Sequence, residues 1–243
     1  MIPHASATVL AGFIVLPLLV AAMFVFAFAW ATRRPRGDAT TSGRAVGRLI
    51  VGCIAWLVMT ALLARSGVLA RFDLRPPPFG MLVLALIGLA LAIAFSGVGS
   101  RLVRTLPLWA LVASQVFRFP LELLMHKAYA EGLMPVQMSY SGYNFDIVTG
   151  ITAGALGAWL FVGRPPKWIV ALWNLLGSLL LANIIAIAVL STPVFRAFGD
   201  KQVNVFVAYF PFVWLPAVLV TAALIGHLLV WRRLTAREIV QTS

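Results

Sequence analysis

The sequence predicts an all-α, polytopic membrane protein with seven transmembrane helices, its N-terminus outside and its C-terminus cytoplasmic. Three observations carry that prediction. Of 243 residues, 62% are hydrophobic and only 11% are charged. The apolar residues gather into seven runs of roughly 20, the length a helix needs to cross hydrocarbon. The basic residues fall between those runs, as topology signals do. A soluble domain carries about 25% charged residues, so a soluble enzyme of this length is excluded. Disordered, collagenous and disulfide-rich classes are excluded with it. The net charge of +12 would suggest nucleic acid in a soluble chain. Here the cations lie between apolar runs, so no nucleic acid is expected. Their partners are the bilayer itself and anionic lipids at the cytoplasmic Arg-rich loops.

The seven spans read 9–31, 45–64, 79–97, 106–129, 145–162, 168–190 and about 210–231. The first is no cleavable signal, because Arg33, Arg34 and Arg36 follow it and no basic residue precedes it. With the N-terminus outside, the inner segments hold twelve basic residues: Arg33, Arg34, Arg36, Arg44, Arg48, Arg101, Arg104, Arg164, Lys167, Arg232, Arg233 and Arg237. The outer segments hold six: Arg65, Arg71, Arg75, Lys127, Arg196 and Lys201. That asymmetry sets the orientation.

The connections are mostly short, so the chain 1–243 reads as one helical membrane domain. A polar loop at 32–44 includes Asp38 and Ser42. Pro76, Pro77 and Pro78 form a stiff lead into the third span. The stretch 191–209 passes into Phe206, Tyr209, Phe210, Phe212 and Trp214, an aromatic band suited to headgroup level. Pro211 and Pro216 should bend or delay the seventh helix. Small residues at spacing four predict close packing: Gly150, Gly154 and Ala158 on the fifth span, and Gly88, Ala92 and Ser96 on the third.

The fourth span is the anomaly. Gln115, Arg118, Glu122 and His126, followed by Tyr129, share one helical face inside an apolar run. Charge in hydrocarbon is costly, so that face should meet protein or water. Pro120 removes one backbone bond nearby. The following loop supplies Asn144 and Asp146, and the sixth span supplies Asn174; Asn183 falls on that span's other face. Gln115, Arg118, Glu122, His126, Asn144, Asp146 and Asn174 therefore form a candidate outward-facing polar pocket, a ligand site or proton path. Plainer roles stand beside it. Arg118 and Glu122 fit an i,i+4 pair that locks the bundle, Asp146 fits a first-turn acid, and His126 fits an interfacial histidine.

Other chemistries find little support. Glu122, His126 and Asp146 are a weak metal triple, with no HExxH, CxxC or histidine cluster beside them. The single cysteine, Cys53, excludes an intrachain disulfide and a cysteine-ligated cluster. A haem between His126 and His227 fails on depth, and His4 has no support as a substitute. A retinal protein needs a lysine within a span, whereas the three lysines lie at helix ends or in a loop. Parallel-repeat sugar-efflux transporters make the fourth helix a plain linker, and here it is the most polar. No nucleotide-binding or hydrolase motif occurs. The residues select no cofactor and no catalytic group.

Four stretches carry a likeness: Phe117-Arg118-Phe119-Pro120-Leu121-Glu122, Gly142-Tyr143-Asn144-Phe145-Asp146-Ile147, Trp173-Asn174-Leu175-Leu176-Gly177 and Phe210-Pro211-Phe212-Val213-Trp214-Leu215-Pro216. Over residues 115–235 the chain resembles a set of uncharacterised multi-spanning bacterial membrane proteins. That resemblance implies a bacterial cytoplasmic (inner) membrane and carries over no activity. A basic set of 16 Arg and 3 Lys fits a GC-rich bacterial source. Three functions follow as expectations: binding or transport of a small solute or ion; a non-catalytic subunit or assembly factor with a membrane-protein partner; or an enzyme acting on a lipid or quinone with Glu122 and His126 as acid and base.

Overall fold

The computed structural model describes residues 5–33 and 39–236. His4, Arg34, Arg36, Asp38 and Arg237 lie outside the described residues. The fold is all-α, with no strand among the described residues. Helices α1 (Ala7–Arg33), α2 (Ala39–Arg65) and α3 (Pro78–Phe95) come first. A short α4 (Gly97–Thr105) leads to α5 (Leu108–Ala113) and α6 (Arg118–Ala130). The chain closes with α7 (Ile147–Val162), α8 (Lys167–Leu190) and α9 (Thr221–Thr235). Six helical segments are long and apolar enough to cross a membrane: α1, α2 from Ser42, α3, Leu108–Ala130, α8 and Leu215–Thr235. The fifth predicted span, α7, is apolar but has only 16 residues.

Local chemistry sets the boundaries. Pro77 and Pro78 start α3, where a missing N–H costs nothing. Ser96 caps α4 by accepting from the backbone N–H groups of Val98 and Gly99. The sequence reading took Ser96 only as a packing residue and missed this short amphipathic helix, which buries Leu102 and Val103 and exposes Arg101 and Arg104. Between α5 and α6 the helix tightens to a 3-10 turn, Ser114–Phe117. Pro120 explains it, because proline has no N–H to give the Val116 carbonyl, four residues back, and the Arg118 N–H turns to the Gln115 and Val116 carbonyls instead.

The last helix begins later than predicted. Leu215–Val220 is a π-helical turn, and Thr221 donates its hydroxyl to the Pro216 carbonyl, five residues back. The aromatic stretch before it packs largely into the core, with Tyr209 and Phe210 half-buried. Phe206, Phe212 and Trp214 are buried, and Phe13 of α1 packs edge-on against Phe212 at 5.1 Å between centroids. Trp56 of α2 donates its indole N–H to the Ala217 carbonyl, and Trp214 returns one to the Leu57 carbonyl.

Glycines on α7 let it lie against Leu108–Ala130. A Cβ at Gly157 would stand 3.0 Å from that of Ala113, one at Gly154 would stand 3.7 Å from Val116, and one at Gly150 would meet the Phe119 nitrogen. Rising numbers on one helix meet falling numbers on the other, so the two run antiparallel. Gly157 replaces the predicted Ala158, which is exposed. At about 100° per residue, position 157 returns to the azimuth of Gly150, whereas 158 drifts off it. The second predicted stripe fails as a packing face. Gly88 and Ala92 are exposed, and α3 buries Leu82, Leu86, Ala90 and Ala94 instead.

Candidate functional site

The apolar interior forms two clusters. One holds Phe117, Leu121, Leu181 and Ala223; the other holds Val112, Val170, Trp173 and Ile225. Along α5–α6 the change from one to the other falls between Val112 and Phe117, along α8 between Trp173 and Leu181, and along α9 at Leu224, one turn before His227. A buried polar network occupies this seam. Gln115, Arg118, Glu122, Asn144, Asp146, Asn174 and His227 are each at most 3% exposed.

Arg118 is the hub. Its Nε donates to Asp146 Oδ2 at 2.6 Å and its Nη2 to Asp146 Oδ1, a bidentate, charge-assisted pair. Its Nη1 faces His227 Nε2 at 2.6 Å. His227 Nδ1 lies 2.8 Å from Asn174 Oδ1, while Asn174 Nδ2 donates to the His227 carbonyl at 3.1 Å. Those partners fix the tautomer. The carbonyl of His227 requires the nitrogen of the Asn174 amide, so the amide oxygen faces Nδ1 and Nδ1 carries the proton. Arg118 can only donate, so Nε2 accepts. The network therefore assigns His227 as neutral, with its proton on Nδ1. Trp173 covers the imidazole at 5.7 Å between centroids.

Asn144 is fixed by the same logic. Its Nδ2 donates to the Met138 carbonyl at 3.0 Å, and its Oδ1 accepts from the Asp146 N–H at 3.2 Å. The amide nitrogen is thereby aimed at Glu122, 2.8 Å from each carboxyl oxygen. Among the described residues no basic side chain forms an ion pair with Glu122. The expected i,i+4 pair with Arg118 is not made, because Arg118 reaches across to α7's leading edge. Asp146 does occupy the N-cap position of α7, but its side chain makes no cap bond there.

The structure thus brings Arg118, Glu122, Asn144, Asp146 and Asn174 together. Gln115 lies one turn before Arg118 with its amide nitrogen seated against Gly226. His126 stands apart. It is half-buried, bound to the Ser141 hydroxyl at 3.1 Å and stacked on Tyr140 at 4.4 Å. It does not join Glu122, so the acid–base pairing of those two residues is not formed. Among the described residues no three His, Cys, Asp or Glu side chains gather as a metal site, and the triple of Glu122, His126 and Asp146 is not assembled. Asn183 holds the loop by donating to the Tyr143 carbonyl.

The residue that sequence reasoning missed is His227. A seventh span drawn over 210–231 sets it near a membrane face. The helical segment runs Leu215–Thr235, which places it near the middle of that segment. The polar groups also close on one another rather than line an open outward-facing pocket. No protein family, curated protein or solved structure matches the chain.

Proposed function

We propose that this chain is a seven-span protein of the bacterial cytoplasmic membrane, N-terminus outside, that binds or moves a small solute or ion with a proton exchanged at Glu122. One observation carries the reading. Glu122 is a fully buried carboxyl inside a spanning segment whose hydrogen-bond partner is a neutral amide, while the adjacent guanidinium is committed to Asp146 and His227. An intramembrane ionisable group without a counter-ion is a functional group by default. Two carboxyls share one cation, so charge balance in the closed network calls for one proton.

Seven spans follow if α7 crosses beside Leu108–Ala130. Its 16 residues extend roughly 24 Å at about 1.5 Å each, short of a typical core but supported by glycine packing along its partner. Exposed Arg48, Arg101 and Arg104 would meet anionic headgroups. Arg232 and Arg233 are engaged by the protein, donating to the carbonyls of Ala94 and Val103 respectively.

The test is infrared difference spectroscopy of the protein in nanodiscs, stepped across pH and across added Na+, K+ or Mg2+. A protonated-carboxyl band that responds and is absent in Glu122→Gln supports the reading. Proteoliposomes carrying a pH dye should then show cation-linked proton movement that the same substitution removes. No responsive band, or a band unchanged by the substitution, defeats it.

A second reading has its own support. The mutual saturation of Arg118, Asp146, His227 and Asn174 suits a non-catalytic subunit or assembly factor whose polar stripe ties helices together. On that reading Glu122→Gln lowers stability or partner recovery and leaves every flux unchanged.

A further inference from the structure

Between Arg48 and Trp56, α2 stands off from α5 and α9 and leaves a cavity of about 800 Å3, which α1 closes on the remaining side. Ligand pockets run about 300–1,000 Å3. The wall on α2 is Arg48, Leu49, Gly52, Cys53, Trp56 and Leu57, one face of the helix. Gly52 keeps that face open, since a Cβ there would meet nothing within 4 Å. The wall is almost wholly apolar, and Arg48 is its one charged residue. Gln115 borders the cavity from the polar network but is only 1% exposed. Phe26 and Trp109 on the rim are exposed, so the cavity opens sideways, toward the space that lipid fills.

Its depth is that of one leaflet. From Arg48 to Arg65, α2 climbs roughly 26 Å at about 1.5 Å per residue, close to the roughly 30 Å of a hydrocarbon core. No charged residue lies between them. In a membrane these two arginines mark the two boundaries of that core. The cavity begins at Arg48 and ends at Leu57, roughly 14 Å further on. There it is closed. Trp56 donates to the Ala217 carbonyl and Trp214 to the Leu57 carbonyl, which ties α2 to the π-helical turn.

Charge selects the occupant. The end of the bundle at which the cavity begins carries Arg44, Arg48, Arg101 and Arg104, all exposed. Among the described residues no carboxylate pairs with any of them. Asp73, Glu131 and Asp200 lie in connections at the opposite end, and Glu122 and Asp146 are buried inside. A guanidinium at the head of an apolar slot suits a phosphate that carries a hydrocarbon chain. A zwitterionic headgroup would bring a cation of its own to this arginine-rich end.

We propose that the cavity holds one acyl chain of an anionic phospholipid from the leaflet on that side, with the phosphate on Arg48. The proposal rests on the membrane placement put forward above and not on proton exchange at Glu122. The test is tryptophan quenching in nanodiscs of unbrominated phosphatidylcholine, titrated with dibromostearoyl phosphatidylglycerol or with phosphatidylcholine of the same brominated chains. Trp30, Trp56 and Trp109 line the cavity, and Trp56 stands at its closed end. The glycerol lipid should quench saturably, at roughly tenfold lower mole fraction than the choline lipid, because a charge-assisted hydrogen bond separates them. Arg48→Gln should bring the two lipids together, and Gly52→Phe should fill the slot and abolish the saturable phase. Arg164→Gln, at an exposed arginine off the cavity wall, should leave the preference within about twofold. Equal quenching by the two lipids overturns the proposal, as does a preference that survives Arg48→Gln or a saturable phase that survives Gly52→Phe. A preference that falls as far in Arg164→Gln overturns it in favour of diffuse surface charge. Tryptophans left unquenched by both lipids at every fraction would overturn the membrane placement itself, and this proposal with it.

Discussion

Replacing Arg118 by Met leaves Asp146 as a carboxylate that is 3% exposed, without its guanidinium partner. Removing one member of a buried ion pair costs about 3–5 kcal/mol. The same change takes the donor from His227 Nε2, an orphaned buried acceptor worth about 1–3 kcal/mol. Together these give roughly 4–8 kcal/mol for Arg118→Met. Asp146→Leu alone strands the guanidinium and costs about 3–5 kcal/mol. The double variant Arg118→Met/Asp146→Leu removes both charges and leaves chiefly the His227 acceptor unmet, at about 1–3 kcal/mol. It should therefore be more stable than Arg118→Met, and the sum of the singles should exceed it by at least about 3 kcal/mol. The assay is equilibrium unfolding in mixed micelles, read by tryptophan emission. Additivity to within about 0.5 kcal/mol, or an Arg118→Met cost below about 1 kcal/mol, would refute the ion-pair assignment.

Three further outcomes can be checked. Gly177→Ala puts a Cβ 2.6 Å from His227 Cε1 and 3.0 Å from Thr149 Cγ2; because Asn174 and Arg118 pin the imidazole, the cost should be about 1–3 kcal/mol by thermal unfolding in detergent. Gly88→Ala, with nothing within 4 Å, should be neutral or gain about 0.5–1 kcal/mol as a helix-interior exchange; equal stability of the two variants would remove the steric account. At the end of α6, Glu131 accepts from the Ser6 hydroxyl at 2.7 Å and the Ser6 N–H at 2.8 Å, which holds its carboxyl below the usual 4.5. A depressed carboxyl stabilises fully above its unfolded value and loses that contribution as pH falls through the lower folded value. Stability should therefore drop with acid more steeply in wild type than in Ser6→Ala; parallel pH profiles would count against the Ser6–Glu131 clamp.

Hydropathy and spacing carried much of this architecture. The long apolar runs correspond to helices because a spanning backbone must satisfy its own hydrogen bonds. Spacings of three and four located Gln115, Arg118 and Glu122 on one face. The same periodicity misled at His126, because it gives azimuth and not depth. That ring stands one turn beyond Glu122, level with a loop that supplies Ser141 and Tyr140. His227 was illegible for a different reason. Pro211 and Pro216 announced a delayed last helix, but the extent of the delay, set by the π-helical turn at Leu215–Val220, shows in no hydropathy window. The choice of Asp146 over Glu122 as the partner of Arg118 was equally hidden. It depends on α7 lying close enough for Gly150 to meet the Phe119 backbone.

Asn144 has a consequence beyond holding Glu122. Both ends of its amide are tied to the main chain, through the Met138 carbonyl and the Asp146 N–H. Every bond across it therefore has one sense. A carboxamide so anchored acts as an insulator between two terminals, with Glu122 on one side and the Asp146–Arg118–His227 circuit on the other. Were Glu122 to exchange a proton as proposed, the change of charge would reach Arg118 as a field across a fixed gap, with no proton passed through the Asn144 amide to Asp146.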